Sequence, residues 1–218
     1  MNQFWIRVLG IFGILGGLLL FVGDMLFYYD PIHTNLRENM GNASDNRIII
    51  SAVTALVASW FYMLGLWQVY YAFKPTKPLF RNTILICFGA ILTAYGVIHG
   101  AYVAIATSAK LATQNNLEIN QAVSLAAEAN DSLRLFVYPL FGLLSILFIT
   151  LVWKRKTLYP RWIILFFPLI PFLIQDLICQ NLSGATWIIV CGGYLNLILV
   201  LFFTASTIAL WNAKTVEN

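Results

Sequence analysis

The side chains able to do chemistry in this chain are few, and they gather on one side. Asp24 follows Gly23 towards the end of the first apolar stretch, and His99 lies between Gly96 and Gly100 in the third. Gln175 and Asp176 come near the end of the fifth stretch, and Tyr194 and Asn196 stand somewhat deeper in the sixth. Just past the first stretch comes Asp30-Pro31-Ile32-His33, and around the start of the fourth come Glu128, Asn130, Asp131 and Arg134. Polar groups at membrane depth are costly, so each is a functional candidate by default.

Three chemistries suit these residue types. His99 with Asp24 or Asp176 makes a general base and its orienting carboxylate. His33, His99, Asp24 and Asp176 make a mixed nitrogen and oxygen shell of the zinc kind, although no spacing fixes a metal and none is assigned. Protonatable Asp24 and Asp176 make a proton relay for a coupled transporter. Each residue also has a purely structural reading. Asp24 can sit hydrated at the interface beside Tyr28, and Asp176 can sit at its helix end. His99 must find a partner, which Asp24, Asp176 or a tyrosine would supply. Arg134 most simply pairs with Asp131 or Glu128, or extends its stem to the interface. The candidate catalytic residues are therefore His99, Asp24 and Asp176, with Asp30, His33, Gln175, Tyr194, Asn196 and Tyr102 as candidate ligand contacts. No cofactor follows from them.

What must position these groups is a membrane bundle. The chain of 218 residues is 60% hydrophobic and 10% charged, with mean hydropathy +0.79. Soluble domains run at about 45–50% apolar and roughly 25% charged. Disorder, collagen-like repeats and a disulfide-stapled secreted module are excluded. Six apolar stretches cover residues 4–29, 47–73, 82–107, 133–153, 162–179 and 185–211, none with Lys or Arg away from its ends. Each is long enough for a transmembrane helix, which takes about 20 residues. No segment shows the alternating polarity of a barrel strand. The expected fold is all-α, a single membrane domain over 1–218 with six transmembrane helices in a compact bundle.

Orientation follows from the basic residues. Lys74, Lys77 and Arg81 lie between the second and third stretches, and Lys154, Arg155, Lys156 and Arg161 between the fourth and fifth. With Arg7 and Lys214 they make nine on one side, against Arg37, Arg47, Lys110 and Arg134 on the other. An even number of spans then places both termini in the cytoplasm. Eight acids, all except Glu217, fall towards the opposite side. Trp5, Trp67, Trp153, Trp162 and Trp211 mark the inner boundary, and Tyr28, Tyr29 and Trp187 the outer one, as interfacial aromatics do. The first stretch stays apolar through Tyr29 with no small-x-small cleavage site, so it reads as a retained helix. Position 2 is Asn and the tail has no Cys, so no lipidation signal is visible.

Residues 117–132 put apolar side chains at Ile119, Ala122, Val123, Ala126 and Ala129, the spacing of an amphipathic helix. It is either an outward extension of the fourth span or a lid. Small residues at Gly10, Gly13, Gly16 and Gly17, and at Gly96, Gly100 and Ala104, allow close packing inside the bundle or across a homodimer. Pro168 and Pro171 should kink or locally unwind the fifth span and free carbonyls into a cavity.

Comparison with membrane enzymes removes candidates. Two histidines are too few for the three-histidine metal site of alkaline-ceramidase-type hydrolases and for diiron desaturases. The rhomboid Gly-x-Ser-Gly and the Glu-Glu of membrane CAAX proteases are missing. Cys87, Cys179 and Cys191 form no Cys-x-x-Cys, and no Lys lies in the last span for a retinal Schiff base. Phosphate loops and nucleic-acid modules are absent, and the net charge of +4 belongs to the inner rim, facing anionic headgroups.

The sequence therefore leads to a small-molecule or lipid-binding membrane protein with an outward-opening polar cavity, including an enzyme acting at the outer leaflet through His99 with Asp24 or Asp176. A small proton-coupled transporter and a non-catalytic assembly subunit are the alternatives. The setting is the plasma membrane of a bacterium. The partners are the bilayer, a lipid or small ligand, and a second copy through the Gly-rich faces, with no nucleic acid.

Overall fold

The computed structural model describes residues 2–212, and Lys214, Glu217 and the rest of the tail lie outside the described residues. Among the described residues all regular structure is helical. Helix α1 (Gln3–Tyr28) opens on an Asn2 cap and runs to a short helix α2 (Leu36–Asn42), capped by Asn35. Ser44 caps α3 (Asp45–Ala72), and Pro78, which lacks an N–H, occupies the first position of α4 (Pro78–Gln114). The Glu118 carboxylate caps α5 (Ile119–Trp153) through the amides of Asn120 and Gln121. Those two amides, the Gln121 amide foremost, hold the Glu118 carboxyl below the usual carboxylate range.

Helices α1, α3, α4 and α5 are long and apolar enough to cross a membrane, and the bent pair spanning 184–210 makes a fifth candidate. Their surfaces agree. On α1 the exposed residues Ile11, Leu15, Leu18 and Val22 form one stripe, and on α3 Val53, Leu56, Trp60, Leu64 and Trp67 form another. A water-facing stripe would be charged, whereas these suit lipid tails. At 37 residues, α4 spans about 55 Å at 1.5 Å per residue, well beyond a hydrocarbon core of about 30 Å.

Three stretches take their form from the structure. Residues 119–132 extend the fourth span outwards without a break, the first of the two readings, and form no lid. They open α5, which with the end of α4 projects as an antiparallel pair holding α2. Residues 162–179 are not the continuous helix expected of the fifth span. They form a 3-10 turn (Arg161–Phe166) and two five-residue helices, α6 (Leu169–Leu173) and α7 (Gln175–Cys179). The prolines are the cause. Phe167, which precedes Pro168, is extended at ψ 136°, as the residue before a proline must be. Pro171 then sits within α6. The last stretch breaks too, into α8 (Gly184–Trp187), a π-helical turn (Ile188–Gly192) and α9 (Tyr194–Leu210), with a 62° bend.

One end of the bundle is basic. There Arg7 stacks on Trp211, Arg161 on Trp153 and Arg81 on Tyr70 at 4.4–4.9 Å, and Leu158 N–H bonds the last carbonyl of α3. Gln3 and Arg7 donate to carbonyls at the end of α9, so both described ends of the chain meet here. The half nearest this end is solid. Phe73, Phe88, Phe148, Phe167, Phe202 and Phe203 interlock, with Phe148 and Phe167 stacked at 4.2 Å. A buried polar chain crosses it. Tyr159 donates to Ser206, Ser206 to Gln68 Oε1, and Gln68 to the Ile6 carbonyl, joining α1, α3 and α9.

Helices α1 and α3 approach closely at their glycines. A Cβ on Gly65 would fall 2.6 Å from Gly13 Cα, and one on Gly13 would enter the Phe203 ring. The glycine stripe of the first span is thus consumed inside the protein.

Candidate functional site

The acidic end is built differently. Arg47 donates to the carbonyls of Met25, Leu26 and Tyr29 and closes the end of α1, and Asn39 donates to the Tyr28 and His33 carbonyls. In the connecting loop Asp30 Oδ1 accepts from the amides of His33 and Ile32 and faces His33 Nδ1 at 3.2 Å. Those backbone bonds, the His33 amide foremost, hold the Asp30 carboxyl below its usual range. Asp30 and His33 form an exposed turn and do not reach the cavity described next, so the structure does not join them to the other candidates.

Behind that cover lies a cavity of about 290 Å³, bounded by α1, α4, α5, α6, the π-helical turn and the start of α9. Its floor is Leu20, Ile91 and Ile198, and its walls include Val137, Phe141, Pro168 and Phe172. The polar groups are Asp24, His99, Asn196, Arg134, Gln175 and several tyrosines, Tyr102 and Tyr194 among them. The volume sits at the small end of ligand pockets, which run from about 300 Å³ upwards.

Asp24 and His99 meet in its wall, with Oδ1 and Nδ1 3.1 Å apart. They are 8% and 4% exposed, so water does not carry the interaction. Asn196 donates to Asp24 Oδ2 at 2.6 Å. On the other side of the ring, Nε2 lies 2.9 Å from Ser51 Oγ, and Ser51 donates to the Gly23 carbonyl at 2.8 Å. Glycine at 23 makes room for this, since a Cβ there would lie 2.9 Å from His99 Nε2.

Counting hydrogens fixes what the pair carries. Ser51 has one hydroxyl hydrogen, and the Gly23 carbonyl can only accept it. The Nε2 contact with Ser51 therefore needs a hydrogen on Nε2. The Nδ1–Oδ1 contact needs another, on either atom, because two lone pairs would otherwise face each other. The couple thus holds a proton between carboxylate and ring, as an imidazolium–carboxylate pair or as a carboxylic acid donating to a neutral ring. Its net charge is zero in both forms, as burial favours.

The arrangement can accept or release one proton beside an apolar space, which is the requirement for general acid–base work. The four-residue shell that the sequence allowed is not assembled. His33 and Asp176 stay outside the cavity, and among the described residues no three His, Cys, Asp or Glu converge. Asp176 is exposed on α7, while its neighbour Gln175 lines the cavity. Tyr194 donates to the Pro171 carbonyl at 2.9 Å, which is the carbonyl use expected of a broken helix. Arg134 makes no ion pair with Asp131 or Glu128. Its Nε donates to Asn130 Oδ1 at 3.1 Å and an Nη to the Tyr102 hydroxyl at 2.6 Å.

Sequence reasoning missed Ser51, because a serine in a membrane helix is too common to stand out. It also missed the Cys179–Cys191 disulfide, which ties α7 to the π-helical turn at the cavity wall. A separation of 12 residues carries no signal until the two broken segments fold side by side. By loop-closure entropy such a bond contributes about 3 kcal/mol. Replacing both cysteines by serine is expected to lower the melting temperature of the detergent-solubilised protein by about 5–10 °C. Dithiothreitol should bring the unmodified protein to the same value, and equal melting of oxidised protein and variant would refute the stabilising role.

Residues 1–213 match the model of a family described as "Family of unknown function (DUF6796)", and the chain belongs to that family. No curated protein and no solved structure matches the chain.

Proposed function

We propose that this member of the family is an integral membrane protein that binds one small amphiphilic molecule or lipid, using the cavity beside Asp24 and His99. The carrying observation is that couple. It holds a proton in the wall of an otherwise largely apolar cavity, and a pair serving only to link helices would need no space beside it. The same couple supplies acid–base chemistry if the bound molecule is a substrate, with Asn196 and Ser51 as its positioning residues.

Orientation and crossing number belong to this reading. The broken segment 161–179 carries the chain from the basic end back to the cavity, so six crossings result, with both described ends at the basic, cytoplasmic side. The cavity then opens away from the cytoplasm. A disulfide persists on an oxidising side, which agrees with Cys179–Cys191 at the acidic end of a bacterial plasma membrane. The interlocked phenylalanines pack the bundle between the cavity and the basic end, which disfavours a transporter working by alternating access. Burial of the first glycine stripe removes one of the two faces offered to a second copy. On the other, Gly100 has nothing within 4 Å of where a Cβ would stand.

Filling the cavity tests the proposal. Ile98→Trp and Val137→Phe place bulk at its walls while leaving both members of the Asp24–His99 couple in place. Native mass spectrometry of gently purified protein is expected to show one bound small molecule per chain, and the filled variants are expected to lose it while remaining folded. An empty cavity in the unmodified protein, or equal occupancy in all three, would sink the reading.

A further inference from the structure

We infer that the cavity selects an anionic head group on a single apolar chain, and that Arg134 is the residue that binds it. This rests on the ligand-binding reading above and names the ligand's chemical class. Three side chains of formal charge line the cavity, Asp24, His99 and Arg134. The first two cancel, because the hydrogen bonds through Ser51 and Gly23 require a proton between them. The cavity is therefore left with one net positive charge, on a guanidinium.

Among the described residues no acid forms an ion pair with that guanidinium, and Asp131 acts on it only at longer range. The ion pairs among the described residues are Asp30–His33, Asp24–His99 and Lys110–Asp45, and Arg134 is in none of them. Its two bonds go to neutral acceptors, Asn130 Oδ1 and the Tyr102 hydroxyl. Asn130 is itself fixed by donating to the Ile98 carbonyl at 2.9 Å. A guanidinium has five N–H donors in a rigid fork, so three remain for a ligand while the other two hold the fork in place. Carboxylate and phosphate oxygens match that fork, and the charge-assisted bonds are about twice as strong as neutral ones.

The rest of the cavity suits a tail. One helical turn from Arg134 towards the basic end, Tyr138 is 52% exposed, and the other walls at this depth are aliphatic and aromatic. Across the gap from α5 stands the proline-broken segment, touching it through the edge-to-face pair Phe141–Phe172. About 290 Å³ accommodates part of one chain and not a two-chain lipid.

The test uses full-length protein in phosphatidylcholine nanodiscs and four probes of equal chain length: dodecanoate, dodecyl phosphate, dodecanol and dodecylamine. Both anions are expected to bind at least about tenfold more tightly than the alcohol, the effect of one charge-assisted bond. The tighter of the two identifies the head group as carboxylate or phosphate. Arg134→Gln is expected to bring the anions within about twofold of the alcohol and leave alcohol binding unchanged. Tyr102→Phe, a milder change that frees one side of the fork, should reduce the preference in the same direction. Arg37→Gln, an exposed control at the same end, should leave it intact. Equal binding of anion and alcohol overturns the inference while sparing the cavity reading. So does an Arg37 effect as large as that of Arg134, and so does tightest binding of the amine. Failure of every probe to bind overturns the cavity reading and the inference together.

Discussion

Asp24→Leu is expected to destabilise the protein by about 3–5 kcal/mol, the cost of breaking a buried pair by removing one partner. The leucine leaves His99 Nδ1 and the Asn196 amide without their acceptor in a place that water does not reach. Asn196 Oδ1 is already buried without a partner, so that side chain has no second bond to fall back on. Asp24→Asn should behave otherwise. Its amide can donate to a neutral His99 through Nδ2 and accept from Asn196 through Oδ1, so every contact survives and the shared proton is gone. Its stability is expected within about 1 kcal/mol of the unmodified protein, roughly the worth of one ordinary hydrogen bond. The double replacement Asp24→Leu with His99→Leu should recover part of the single loss, since no charge is then stranded. Equilibrium unfolding in mixed micelles measures all three. A loss below about 1 kcal/mol for Asp24→Leu would show that the couple is solvated and would remove the proton count with it.

Gly13→Leu is expected to be worse still, preventing accumulation of folded protein. Its side chain would have to occupy the Phe203 ring, and α3 cannot retreat because Gly65 already rests on Gly13 Cα. Overpacking typically costs about 1–3 kcal/mol where neighbours can shift. Here the neighbours are a backbone and a fully buried ring, so the helices must separate. Leu15→Ala on the same helix, facing lipid, is the control and should melt within a few degrees of the unmodified protein. Size-exclusion profiles of fluorescent fusions measure folded yield for both. A monodisperse Gly13→Leu protein with normal melting would mean that α1 and α3 do not cross at these glycines.

How much of this was legible in the chain differs from one element to the next. The helical class and the four long spans were, because apolar runs without charge admit no other backbone in lipid. The structure brings Asp24, His99, Tyr194, Asn196 and Gln175 to one space, which their common depth allowed but did not require. Depth is set by position along a helix, which the sequence states. The direction in which a side chain leaves the helix axis relative to its neighbours is not stated. Asp176 illustrates this, being one residue from Gln175 and yet pointing away from the cavity. Arg134 illustrates it again. Two acids within one or two turns suggested an intrahelical pair, whereas the guanidinium crosses to Tyr102 on α4. The amphipathic stretch before the fourth span was legible as a helix, and the structure chose the extension over the lid, since a polar stretch between apolar runs need not end a helix that projects beyond the membrane.

By itself, then, the sequence determined where the chain is apolar, where its positive charge lies, and at what depth its few polar groups stand. These are properties of residues taken singly or in local order, and the bilayer acts on them directly. The tertiary structure decided which of those groups touch. It brought Cys179 to Cys191, placed Ser51 against His99, and turned Arg134 to neutral acceptors rather than to an acid. Each of these depends on the rotation of one helix against another, which is set by close packing at sites such as Gly13 and Gly65 and is not encoded in any one segment.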